Sequence, residues 1–489
     1  MTGDTGTPES LAGKTVRAAA WSYTSFALGK GIVVVTLVVL ARLLAPEEFG
    51  VVGFATLVVA YLSILQDLGL SYALIQRREN IAEASNTVFT LNLVIGAVLA
   101  LATFAAAPLV AAFFREPLVE SFVKVLALTF LIEPLGSVHI ARLQRELKFG
   151  LKLVPDIGRA MTKGIVGISL AFAGFGPWSL IFGQLAGVIA AVVLAWLVYP
   201  WRPRLRVEAK IARSLLTFSL PLILVSLQHA VETNIDYTII GRVLGDRALG
   251  IYTLAYRIPE LTILSIGTVL SSVVFPAFSA VQADPAKLKN GFLATLRYVP
   301  LVTVLLALAL LFAADPLVRV LLGRQWLEAV PILKLLAVYA VVDSIGFNVG
   351  DVYKAIGRPS ILWKWGFVYL AVLIPCLLVG ARYGLVGIAV GHIVAATQFT
   401  LTRLYIATRV IDVSYIEMLR ELRPAFVAAL GFTTLAWPMA VISLDWHPAL
   451  RLIVMCCGGG CGGVAALWFM DRETVRRALT MARTVSSNR

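Results

Sequence analysis

Fourteen apolar blocks follow one another along the chain, at about 18–41, 50–74, 87–112, 118–139, 153–174, 177–199, 215–240, 250–275, 292–314, 329–349, 361–380, 384–406, 425–443 and 449–470. Each is close to the roughly 20 residues that a helix needs to cross a hydrocarbon core of about 30 Å. The polar breaks between them are short, so few residues remain for a soluble domain. The pattern predicts an all-α integral membrane protein. Composition agrees, with 59% hydrophobic residues, 14% charged residues and a mean hydropathy of +0.87, far outside the soluble range.

The blocks are not independent. The stretch Ala41–Ala55 lines up with Gly241–Ala255, and Arg42/Arg242, Leu44/Leu244, Gly50/Gly250 and Ala55/Ala255 are identical pairs. Farther on, Gly174–Gln184 resembles Arg382–His392, with Gly176/Gly384 and Gly183/Gly391 in register. Six spans therefore repeat. Because six is even, both copies start on the same side of the membrane, as parallel repeats about an axis along its normal. The expected organisation is an N-lobe at 1–200, a linker at 201–214, a C-lobe at 215–410, two appended helices at 411–470 and a basic tail at 471–489. Two like halves of this kind are the mark of a transporter, with its cavity between them.

A net charge of +14 and a pI of 9.8 raise the question of a nucleic-acid partner, and the placement of the charges excludes one. Lys and Arg gather in alternate breaks: Arg77 and Arg78; Arg142, Arg145, Lys148 and Lys152; Arg202, Arg204, Arg206, Lys210 and Arg213; and the tail with Arg472, Arg476, Arg477, Arg483 and Arg489. The opposite breaks hold only Arg42, Arg115, Arg242, Arg247, Arg319, Arg324, Arg382 and Arg451. This is the positive-inside bias, and it puts both termini in the cytoplasm. The stretches Arg142–Phe149 and Ile416–Arg423 alternate basic and apolar residues, as helices on an anionic membrane surface do and as solvated connectors also do. Met1–Ser10 is polar and the first apolar block is too long for a signal peptide, so no cleavable leader is expected.

Ionisable residues inside the blocks carry the candidate chemistry, since each costs about 3 kcal/mol if it faces lipid. Lys30 lies mid-span in block one; at the 200-residue offset its mate is Ala230, within a turn of Glu232. Block seven carries Gln228, Glu232 and Asp236 four residues apart, on one helix face. Block five carries Asp156, Arg159 and Lys163 on one face, with Arg159 placed to pair with Asp156. Block eight carries Arg257 and Glu260 around Pro259, which removes a helix donor and bends the span. Lys124 and Lys334, near span ends, are placed to snorkel. Fixed positive charge lining a wet cavity suits an anionic cargo, phosphate above all. The substrate-binding candidates are thus Lys30, Arg159, Lys163 and Arg257. Glu232, Asp236 and Glu260 either balance charge or carry a coupling proton or sodium ion. Simple ion pairs, Lys30 with Glu232 and Arg257 with Glu260, are the structural alternative.

Three other signals read as structure. Pro46-Glu47-Glu48 resembles the acidic pair of membrane glycosyltransferases, but it is also how a helix begins, with proline in the first turn and acids at the positive end of the dipole. The glycines at 458, 459, 462 and 463 form GxxxG pairs for close helix packing, which accounts for the cysteine-glycine run around Cys456, Cys457 and Cys461 better than a metal does. The histidines are scattered, and neither a metal nor a cofactor motif is present.

The phrases Ala41–Gly50, Asp67–Arg77, Leu249–Arg257, Val274–Gln282 and Leu322–Trp326, taken in order, resemble Wzx-type oligosaccharide flippases, over about residues 15–410. That family belongs to the superfamily of the multidrug MATE exporters and the peptidoglycan-precursor flippase. The resemblance implies a MATE-like, fourteen-helix protein of the bacterial inner membrane that is not an enzyme. It moves polyprenyl-pyrophosphate-linked oligosaccharide to the outer leaflet by alternating access, alongside membrane lipids and a glycan polymerase. A MATE-like small-molecule exporter shares the architecture, and a membrane glycosyltransferase or polymerase fits the composition.

Overall fold

The computed structural model describes residues 28–358, 360–476 and 480. The predicted start of block one, at 18–27, and Arg477, Arg483 and Arg489 of the basic tail lie outside the described residues. Where described, the fourteen blocks fall on helices, some of them interrupted, and no strand occurs. Ten helices among the described residues are long and apolar enough to cross a membrane. The protein is an all-helical, multi-span membrane protein.

In chain order the helices are α1 (28–43), α2 (Pro46–Asp67), α3 (Leu70–Gln76), α4 (Ile81–Phe114), α5 (Leu118–Ile132), α6 (Pro134–Arg145), α7 (Phe149–Phe172), α8 (Trp178–Val198), α9 (Ala209–Val243), α10 (Asp246–Pro259), α11 (Ser265–Ala280), α12 (Pro285–Leu321), α13 (Ala329–Phe347), α14 (Val349–Ala355), α15 (Ser360–Ala381), α16 (Gly384–Val410), α17 (Tyr415–Ile442) and α18 (Pro448–Met470). By contacts the chain forms two units, Met1–Gly250 and Ile251–Arg489. Helix α9 packs on α2 and α4 within the first.

Helix α4 shows how these sequences partition. Val94, Val98, Leu101 and Leu109 point outward, whereas Asn92, Gly96, Thr103, Ala107 and Ala111 are buried. Large apolar side chains face the surroundings, and small or polar ones face the neighbouring helices. This is the arrangement expected where lipid replaces water and close backbone approach drives association. The same device recurs in the two repeats. Gly183 of α8 lies against the Lys163 carbonyl and Gly167 of α7, and its mate Gly391 of α16 lies against the Cys376 carbonyl of α15.

The helix starts read from sequence hold. Pro46 opens α2 with Glu47 and Glu48 in its first turn, and Glu48 Oε2 accepts a hydrogen bond from the Ala45 amide at 2.7 Å. The glycine run of α18 packs on α17, where a Cβ on Gly462 would stand 2.2 Å from the Gly431 carbonyl oxygen. Backbone on both sides leaves no side chain to yield. Gly462→Val should therefore cost about 3 kcal/mol, read as a lowered melting temperature of the detergent-solubilised protein. Gly460→Val, where a Cβ meets nothing within 4 Å, should leave it unchanged.

The two basic stretches are built into the fold rather than lying free. Arg145 at the end of α6 donates to the carbonyls of Leu74 (3.4 Å) and Arg77 (2.7 Å), below α3. Arg142 stacks over Tyr199 and Trp201 at 5.3 and 5.5 Å. The Tyr199 hydroxyl donates to the Glu146 carboxylate. Ile416–Arg423 is the first part of α17, continuous with span thirteen. Its Ser414–Glu417 capping box closes the start, and Glu417 and Glu421 pair with Lys289 and Arg297 of α12.

Candidate functional site

Several of the predicted spans are broken, and the breaks fall in the second and fourth helices of each repeat. The second helix of the first repeat stops at Asp67 and resumes at Leu70, with Leu68 (φ 47°) and Gly69 (φ 72°) in the left-handed region. Gly69 adopts that conformation freely, while Leu68 holds it at a cost of roughly 1–2 kcal/mol. The second helix of the other repeat is interrupted just after Pro259 by a π-helical turn, Glu260–Leu264. The fourth helices break likewise, at Glu133 before Pro134 and at Asn348. Interrupted helices that recur in both repeats point to binding sites in transporters.

In the first unit both breaks open onto one cavity of about 370 Å³. Gln66, Asp67 and Ser71 reach it from the α2–α3 break, and Asn92 from α4. Glu133, Ser137 and Gln144 come from α5–α6, Asp156 and Arg159 from α7, and Val188 and Val192 close it from α8. Asp67 Oδ1 accepts from Ser71 Oγ at 2.5 Å and from Asn92 Nδ2 at 3.2 Å, and its Oδ2 accepts from the Ser71 amide at 3.2 Å. Asn92 also donates to Ser137 Oγ at 3.2 Å. Its own Oδ1 is buried with no donor, in a side chain 1% exposed.

Arg159 is the one predicted site residue that lines this cavity, and its partner differs from expectation. It pairs with Glu133 at 2.9 Å, while Asp156 takes Lys152 at 2.7 Å. Lys152, four residues before Asp156, lies on the same helix face, whereas the guanidinium of Arg159 reaches across to the α5–α6 break. Lys163, one turn farther along α7, donates to Gln184 Oε1 of α8 at 2.5 Å. The glycines of α8 make this possible, since Gly183 and Gly187 rest on the Lys163 and Arg159 carbonyls. Lys30 lies half-buried in the first described turn of α1. Glu232 is half-buried on α9, and Asp236 is 2% exposed, its Oδ1 accepting from the Tyr237 amide at 2.9 Å. In the second unit, Arg257 and Glu260 pair at 2.9 Å across Pro259, at the edge of the π-helical turn. Lys124 pairs with Glu120 at 2.6 Å.

Sequence reasoning passed over Asp67, Asn92 and Glu133 as site residues. Two signals were available for them: Asp67 precedes a leucine-glycine pair within an apolar block, and Glu133 precedes a proline within another.

A family model described as polysaccharide biosynthesis protein matches residues 39–331. The chain belongs to that family. It is 25% identical to the lipopolysaccharide biosynthesis protein WzxC of Escherichia coli (strain K12), over 88% of this chain and 89% of that one. It is also 25% identical to the succinoglycan biosynthesis transport protein ExoT of Rhizobium meliloti (strain 1021), over 98% and 97%. Among solved structures, the lipid II flippase MurJ in an inward closed conformation matches with a TM-score of 0.75 at 14% identity. That match covers 94% of this chain and 100% of that one, so the family member has the MurJ fold.

Proposed function

We propose that this protein flips polyprenyl-pyrophosphate-linked oligosaccharide from the cytoplasmic to the outer leaflet of the cytoplasmic membrane, for O-antigen, exopolysaccharide or capsule synthesis. Membership of the polysaccharide biosynthesis family is the observation that carries this reading. The names of WzxC and ExoT place relatives in glycan assembly and transport, and the fold is shared with a protein named as a lipid II flippase. Breaks in the second and fourth helices of both repeats support transport by alternating access rather than glycosyl transfer.

In this reading both termini are cytoplasmic, fourteen helices cross, and the chain has two six-helix lobes, at 1–200 and 215–410, with 411–470 appended. Lys30 and Lys163 hold the diphosphate, as donors that replace its lost hydration. Arg159 and Arg257 join by exchanging Glu133 and Glu260 for phosphate oxygens, so those two acids are the counter-ions of the cargo-free state. Glu232 and Asp236 balance the remaining charge. Depleting the protein should make lipid-linked repeat units accumulate facing the cytosol, scored by their accessibility to impermeant lectins in inside-out vesicles. Undiminished delivery to the outer leaflet would refute the proposal.

A further inference from the structure

The cavity of the first unit has an unbalanced charge. Glu133 is neutralised by Arg159 and Asp156 by Lys152. Asp67 takes only neutral donors, from Ser71 and Asn92, and among the described residues no lysine or arginine forms an ion pair with it. Beside it, Asn92 Oδ1 is sealed from solvent with nothing donating to it. A buried acceptor without a donor is rare in folded proteins. One carboxylate, an orphan amide oxygen and the hydroxyls of Ser71 and Ser137 together form an oxygen-rich site short of one positive charge. The break after Asp67 adds the carbonyl end of α2, a 22-residue helix, whose dipole is negative there.

The second unit shows the balanced version. Ser271, the 200-residue mate of Ser71, donates at 2.6 Å to Asp351, a carboxylate 1% exposed beside the break at Asn348. There the charge is supplied by the protein, with Lys354 Nζ 3.1 Å from Asp351. The equivalent serine thus serves an acid in both repeats, and among the described residues only Asp351 has a cation of its own.

We propose that the cavity at the α2–α3 break binds a monovalent metal cation on Asp67 and Asn92 Oδ1, filling in the first unit the role that Lys354 fills in the second. A single uncompensated carboxylate with neutral oxygens matches one positive charge, whereas divalent ions favour several carboxylates. The site is distinct from Glu232, Asp236 and Glu260, where sequence placed ion coupling. Such an ion, bound across the break, would hold α2 and α4 together, and its release would free them.

The test uses the purified full-length protein in detergent, with sodium chloride or choline chloride at equal ionic strength and fixed pH. Sodium should raise the melting temperature by about 3 °C or more over choline. Asp67→Asn, which keeps the shape but removes the charge, should abolish that difference. Should Asp67→Asn fail to fold, binding of radioactive sodium to the wild type, competed by unlabelled sodium and weakened at least tenfold in Asn92→Leu, decides the matter. Identical melting in the two salts with no sodium bound overturns the proposal, as does a sodium response that Asp67→Asn retains. No glycan enters the assay, so its failure would leave the flippase reading standing.

Discussion

Lys30→Ala is expected to lower export of lipid-linked glycan at least tenfold while the amount of protein in the membrane stays the same. A lysine inside an apolar helix costs about 3 kcal/mol, and a charge-assisted hydrogen bond to phosphate is worth about 1.5–3 kcal/mol. Losing it corresponds to roughly 10- to 100-fold in binding. Surface glycan produced by a deletion strain carrying the variant is the measurement. Lys30→Arg should restore a substantial part, since it keeps the charge. If Lys30 serves only to pair with an acid, alanine should instead reduce membrane levels, and glycan output per molecule should be normal.

The second large effect concerns the close approach of Gly50 and Gly250, both within the first unit. A Cβ on Gly50 would stand 1.9 Å from the Asp246 carbonyl oxygen, and one on Gly250 would stand 1.8 Å from that of Pro46. Pro46 and Asp246 are themselves mates in the 200-residue register, as are Gly50 and Gly250. Each contact is therefore the other with the two stretches exchanged. Glu47 and Arg247, also register mates, close it with an ion pair. The two copies have thus diverged to opposite charge where identical residues would repel.

Glycine inside a helix normally costs about 1 kcal/mol against alanine, so Gly50→Ala would stabilise an isolated helix. Here both Gly50→Ala and Gly250→Ala should destabilise, by about 2–3 kcal/mol, because backbone meets backbone and nothing can repack. Thermal melting of the purified variants checks this. A Gly250→Val variant that melts with the wild type would show that the close contact is not maintained in the protein.

These glycines also show what a sequence can disclose. Their spacing is visible as a repeat, and the helix start at Pro46, the close-packing glycines of α18 and the bend at Pro259 are visible as local chemistry. Each of these local signals depends on residues a few positions apart. The cavity was not visible, because its parts lie far apart in the chain: Asp67 meets Asn92 across 25 residues, and Glu133 meets Arg159 across 26. Hydropathy taken over a whole span hides Asp67, deep in the 31-residue apolar stretch Pro46–Gln76. The same limit explains Arg159. Local spacing pairs it with Asp156, and the tertiary structure gives it Glu133. Arg142 and Arg145 read as surface charge until Tyr199, Trp201 and the α3 carbonyls are brought beside them.

Translocation itself is the central claim, and reconstitution tests it most directly. Purified protein would be placed in liposomes carrying a polyprenyl-diphosphate oligosaccharide, and exposure of the glycan to an impermeant lectin followed with time. The account predicts that glycan sealed in the inner leaflet becomes accessible in minutes, with Lys30→Ala slower by at least tenfold. Accessibility no faster than in protein-free liposomes, from protein shown to be folded, would contradict it.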